Sequence, residues 1–187
     1  MNTPNKLTLL RIILIPVFLI FLLFPITGDN SIHTWIALVI FVGASITDWL
    51  DGRIARATNQ VTTFGKFADP LADKLLTSAA LISFIELYSV PSWMIFIIVA
   101  REFIVTGLRL VAISEGKVIA ASMAGKVKTF AQMIAIVVVM LLGALNLADF
   151  GIFGCNLATW LMGIVAAITL YSGFTYLMDN RKLIKFK

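Results

Sequence analysis

Six long apolar runs, broken by short polar stretches, organise the chain: Leu9–Ile26, Thr34–Ala57, Pro70–Tyr88, Ser92–Ser114, Thr129–Leu145 and Leu157–Met178. Each falls in the range of about 17–25 residues that a helix uses to cross a bilayer. Residues Asn2–Thr8, ahead of the first run, are expected to lie along the membrane interface. The pattern predicts an all-α integral membrane fold: six transmembrane helices with a short N-terminal interfacial segment. The loops left over are short, so residues 1–187 are expected to form a single membrane domain. The first run is read as a span rather than a cleavable leader, because no small-x-small site follows it.

Composition removes the soluble alternatives. Of 187 residues, 60% are hydrophobic and 13% charged, against roughly 25% charged in soluble domains. Mean hydropathy is +0.98. A chain this short cannot hide so much apolar surface in a water-soluble core. Disorder is excluded by the 14 Phe and 4 Trp. The single cysteine, Cys155, can form no intramolecular disulfide and sits in a predicted loop. No internal repeat stands out.

The net charge of +5 is unevenly placed. The connections Thr27–His33, Ser89–Pro91 and Asn146–Asn156 hold no Lys or Arg, and His33 is expected in the first of these loops. Lys6, Arg53, Arg56, Lys66, Lys117, Lys126, Lys128, Arg181, Lys182, Lys185 and Lys187 fall on the other side. The positive-inside rule then puts both termini in the cytoplasm. Attraction to anionic headgroups follows from the same charges, whereas nucleic-acid binding lacks a basic soluble module.

Ionisable residues lie within or beside the apolar runs: Asp48, Asp51, Arg53, Arg56, Asp69, Asp73, Lys74, Arg101, Glu102 and Arg109. Four bare carboxylates at bilayer depth would cost about 10 kcal/mol on insertion scales. They must therefore face a wet cavity, pair, or bind metal. Asp48 and Asp51 are three apart, and Gly65, Asp69 and Asp73 are successively four apart, so each set shares a helix face. Pro70 falls in an early helical turn or at a kink. Two acidic stripes at the cytoplasmic ends of consecutive antiparallel helices would form one patch. Four neighbouring carboxylates repel, and hard divalent cations relieve that repulsion through oxygen ligands. Ion pairing of the aspartates with Arg53, Arg56 or Lys74 is the structural alternative. Gly52 and Gly65 remove bulk where a ligand could approach the backbone, or serve helix packing. Arg56 offers a forked cation suited to phosphate.

Residues Asp48 to Asp73 read D-x2-D-G-x2-A-R-x8-G-x3-D-x3-D. This pattern resembles the CDP-alcohol phosphotransferase family at every specified position. The opening Pro4-Asn5-Lys6-Leu7-Thr8-Leu9-Leu10-Arg11 and the segment Gly125-Lys126-Val127-Lys128-Thr129 resemble bacterial members that make phosphatidylglycerophosphate. The resemblance implies transfer of a phosphatidyl group from CDP-diacylglycerol to sn-glycerol 3-phosphate, with CMP leaving, at the cytoplasmic side of a bacterial cell membrane. It also implies a homodimer and two divalent cations, Mg²⁺ or Mn²⁺. Asp48, Asp51 and Asp69 are expected as metal ligands. Asp73 is expected as general base that also touches metal. Gly52, Arg56 and Gly65 are expected to contact the cytidine diphosphate, with Asn5 and Thr8 as lesser contacts. Arg109, Lys126, Lys128 and Arg101 are expected to hold the acceptor phosphate. For Arg101 a structural pair with Glu102 or a motif aspartate is the rival, and for Lys126 and Lys128 plain positive-inside bias. The same chemistry with phosphatidylglycerol, serine or an inositol phosphate as acceptor stays open, as does a divalent-cation transporter.

Overall fold

The computed structural model describes the backbone of residues 3–24, 30–57, 63–114, 122–148, 150–152 and 154–181. Side chains are described at 9–24, 31–47, 72, 74–112, 122–148, 150–151 and 154–181. Among these residues the chain forms six helices: α1 (Thr3–Leu23), α2 (Asn30–Ala57), α3 (Thr63–Leu87), α4 (Ser92–Ser114), α5 (Met123–Ala144) and α6 (Leu157–Asp179). Neighbour relations run α1–α2–α5–α6–α4–α3 and back to α1. Inside that ring lie Phe18, Phe41, Phe84, Ile98, Ile136, Met140 and Met162, all buried. Phe18 and Phe41 join α1 to α2 with ring centroids 5.8 Å apart.

The apolar runs mark the helices, and polar residues fix some of the ends. Ser122 caps α5 by accepting from the Gly125 amide at 3.1 Å. Asn156 caps α6 by accepting from the Thr159 amide at 2.8 Å. Its side-chain nitrogen also donates to the Tyr88 carbonyl, tying the start of α6 to the α3–α4 turn. Helix α5 closes through Asn146 in the left-handed region, φ 56°, with Leu147 N donating to Leu142 O at 2.7 Å.

Several boundaries differ from expectation. The segment expected at the interface is helical from Thr3 and continuous with α1. Helix α3 begins at Thr63, ahead of the expected start, and Pro70 lies about two turns into it. Helix α5 begins at Met123, ahead of the expected Thr129, so Lys126 and Lys128 lie in its first turns. His33, expected in a loop, is buried at 4% exposure in α2 and stacks on Phe21 at 5.9 Å. An imidazole has enough apolar surface to be packed this way. The connection before α6 carries a small antiparallel ladder, β1 (Gly151–Ile152) with β2 (Cys155–Asn156), turned at Gly154 with φ 78°.

Exposure is inverted relative to a water-soluble bundle. Phe96 is 73% exposed and Phe130 70%, whereas Arg11 is 0% exposed and Lys128 1%. Charged groups inside and large apolar groups outside suit a protein whose outer solvent is hydrocarbon. Among the described residues, α5 and α6 are long and apolar enough to cross a membrane. The apolar stretches Leu9–Leu23 and Ser31–Thr47 are shorter, as described.

Candidate active site

The aspartate motif falls on two helices. Asp48, Asp51, Gly52 and Arg56 lie on the helical backbone of α2, and Gly65, Asp69 and Asp73 on that of α3. The spacing of three and four therefore has the helical backbone it needs. The side chains of Asn5, Thr8 and all these motif residues lie outside the described residues.

Beside the motif stands a basic cluster whose side chains are described. Lys74, the residue after Asp73, donates to Glu102 Oε2 at 2.9 Å. Arg101 Nη1 and Lys128 Nζ meet Glu102 Oε1 at 3.0 and 2.5 Å. Lys128 also donates to Gln132. Arg101 Nη2 donates to Ser172 of α6 at 2.7 Å. Glycines make room for this arginine: a Cβ at Gly173 would approach Arg101 Cγ to 3.2 Å, and one at Gly125 would approach Nη2 to 3.4 Å. One carboxylate thus links α3, α4 and α5, and Arg101 extends the link to α6.

The cluster borders a hollow of about 490 Å³ lined by Lys74, Arg101, Glu102, Val105, Thr106, Arg109, Gly125, Lys126, Thr129, Phe130 and Met133. Three of the four residues expected to hold the acceptor phosphate, Arg101, Arg109 and Lys126, line it; Lys128 stands behind through Glu102. Arg109 lies over the Tyr176 ring, 5.7 Å from its centroid. Among the described residues the buried Nε atoms of Arg101 and Arg109 have no acceptor. Three cations share Glu102, and Arg109 and Lys126 make no ion pair among the described residues. Among the described residues the lining carries more positive than negative charge, a setting that favours an anion.

The structural rival for Arg101 is present, since it pairs with Glu102 while still lining the hollow. Lys74, a rival partner for the aspartates, gives its ammonium to Glu102. Sequence reasoning missed Glu102 as a hub, because its partners Lys74 and Lys128 are 28 and 26 residues away. It also passed over Arg11, fully buried in α1; a lone arginine amid Leu10, Ile12 and Ile13 was the available signal.

The donor chemistry around the motif fits hard cations. Among the described residues no group of three or more His, Cys, Asp or Glu could hold a metal ion. The soft ligands are elsewhere. His33 is fifteen residues before Asp48 in the same helix, roughly 22 Å along the axis, and Cys155 is exposed in the β1–β2 hairpin. The motif's own donors are carboxylate oxygens, which Mg²⁺ and Mn²⁺ prefer.

The family model described as CDP-alcohol phosphatidyltransferase matches residues 1–171. The chain belongs to this family, as the aspartate motif led us to expect. It is 46% identical to the CDP-diacylglycerol–glycerol-3-phosphate 3-phosphatidyltransferase of Bacillus subtilis (strain 168), covering 98% of this chain and 97% of that one. It is 41% identical to the protein of the same name from Rickettsia felis, over 97% and 96% of the two chains. A probable phosphatidylglycerophosphate synthase of Mycobacterium tuberculosis is 41% identical over 94% of this chain and 79% of its own.

Proposed function

We propose that this protein transfers the phosphatidyl group of CDP-diacylglycerol to sn-glycerol 3-phosphate, giving phosphatidylglycerophosphate and CMP. The relatives named for that reaction support it across nearly the whole chain. The observation in the molecule that carries it is the basic hollow joined through Lys74 and Glu102 to the helix bearing Asp69 and Asp73. Helices α1 to α6 are taken as six spans of one membrane domain in a bacterial cell membrane. Both termini and the site then face the cytoplasm, supported by the one-sided distribution of Lys and Arg. The enzyme acts as a homodimer in this reading.

Arg109, Lys126 and Arg101 hold the acceptor phosphate, with Lys128 behind them. Gly52, Arg56 and Gly65, with Asn5 and Thr8, hold the cytidine diphosphate. Asp48, Asp51, Asp69 and Asp73 would hold two divalent cations, Mg²⁺ or Mn²⁺, which when bound neutralise charge on the diphosphate and the departing CMP. Asp73 takes the proton from the glycerol hydroxyl as that oxygen attacks the phosphorus bearing diacylglycerol. The bond from that phosphorus to the CMP oxygen breaks, so one displacement completes the transfer. A carboxylate is a weak base for an alcohol, so the proton moves late.

Purified protein in detergent, given CDP-diacylglycerol and Mg²⁺, should release CMP with glycerol 3-phosphate. It should release far less with phosphatidylglycerol, serine or an inositol phosphate. Another acceptor winning this panel would overturn the acceptor, and no CMP with any acceptor would overturn the reaction.

A further inference from the structure

Glycerol 3-phosphate is short and rotatable, with its reacting hydroxyl at one end and its phosphate at the other. Attack therefore depends on the span between the group that takes the proton and the cations that grip the phosphate. Asp73 belongs to α3, whereas Arg109 belongs to α4 and Lys126 to α5. Among the described residues, the ion pairs joining these three helices all pass through Glu102. Its Oε2 meets Lys74, the neighbour of Asp73, at 2.9 Å. Its Oε1 meets Lys128, two residues beyond Lys126, at 2.5 Å. The four side chains of this cluster are between 1% and 17% exposed, so water competes weakly for these bonds. Without the carboxylate, three cations would face one another in a half-dry site, and their side chains and helices would have to move apart.

We propose that Glu102 is a positioning residue that sets the span between Asp73 and the phosphate-gripping cations, and so fixes the length of acceptor the enzyme takes. Glu102 acts through Lys74 and Lys128 and takes no proton itself. The inference rests on the functional reading above and concerns acceptor geometry alone.

The test compares kcat/KM for glycerol 3-phosphate and for its homologue with one more methylene between diol and phosphate. Full-length protein in lipid nanodiscs is used, with CDP-diacylglycerol and Mg²⁺. Wild type should prefer the shorter acceptor by about ten-fold or more. Glu102→Gln should lose most of that preference, and Glu102→Asp, which keeps the charge, should recover part of it. The ratio does not depend on the fraction of folded enzyme, so a purely structural role would lower both rates and leave it unchanged. Lys74→Gln cuts only the α3 arm and should shift the ratio the same way, even where Glu102→Gln fails to fold. An unchanged ratio in Lys74→Gln, or a wild type indifferent to the extra methylene, overturns the proposal. A wild type that releases no CMP with either acceptor overturns the functional reading first, a result visible before any substitution is made.

Discussion

Two hollows meet at Met133 of α5 and differ in almost everything else. One, of about 490 Å³, is rimmed by Lys74, Arg101, Arg109 and Lys126. The other, of about 230 Å³, lies between α2 and α5 and is lined by Phe41, Val42, Ser45, Ile46, Met133 and Val137. The first can hold a phosphate. The second offers one hydroxyl, and Ser45 already donates it to the Phe41 carbonyl at 2.8 Å, so it suits hydrocarbon. A single helix thus carries a charged hollow on one side and an apolar one on the other. Both chemistries are needed where a water-soluble acceptor meets a lipid donor.

Four perturbations bear on this division, taken from the strongest. Asp73→Asn should lower CMP release by about 10²- to 10⁴-fold, the span usual for a lost general base, with the protein still folded by thermal unfolding. Chelation of divalent metal should stop turnover as fully, and Mg²⁺ should restore it. Arg109→Ala should raise KM for glycerol 3-phosphate by about ten-fold or more, as loss of a charge-assisted contact does, with donor KM unmoved. A rise in both KM values would show that the hollows are not separate. Val137→Phe, which crowds the apolar hollow, should raise donor KM a few-fold and leave acceptor KM alone; overpacking of this kind costs about 1–3 kcal/mol in stability. Gly143→Ala is the control. Its Cβ would fall on the Tyr88 hydroxyl, so the unfolding temperature should drop while kcat/KM per folded molecule holds.

The spacing of Asp48, Asp51, Asp69 and Asp73 was legible because helical periodicity is local, and α2 and α3 supply the backbone it demands. The bounds of α4 were legible too, since Pro91 and Ser114 bracket its apolar run despite Arg101, Glu102 and Arg109 within it. Arg109 and Lys126 were singled out by their charge, and both line the larger hollow. What stayed hidden depends on partners distant in sequence. Glu102 looked like a neighbour for Arg101, and nothing local announced Lys74 and Lys128. Nothing local to Gly173 announces that Arg101 packs against it. His33 was misread because a polar residue near an apolar boundary was assigned to the boundary, when Phe21 offered it a packed face.

The two rims of the bundle are fastened by different materials. Around the hollow the fastening is ionic and hangs on one carboxylate. At the opposite rim a carboxamide, Asn156, grips both the α6 amide and the Tyr88 carbonyl, and such a group neither gains nor loses a proton. Loss of that one carboxylate would therefore loosen the working mouth while the far rim stays laced.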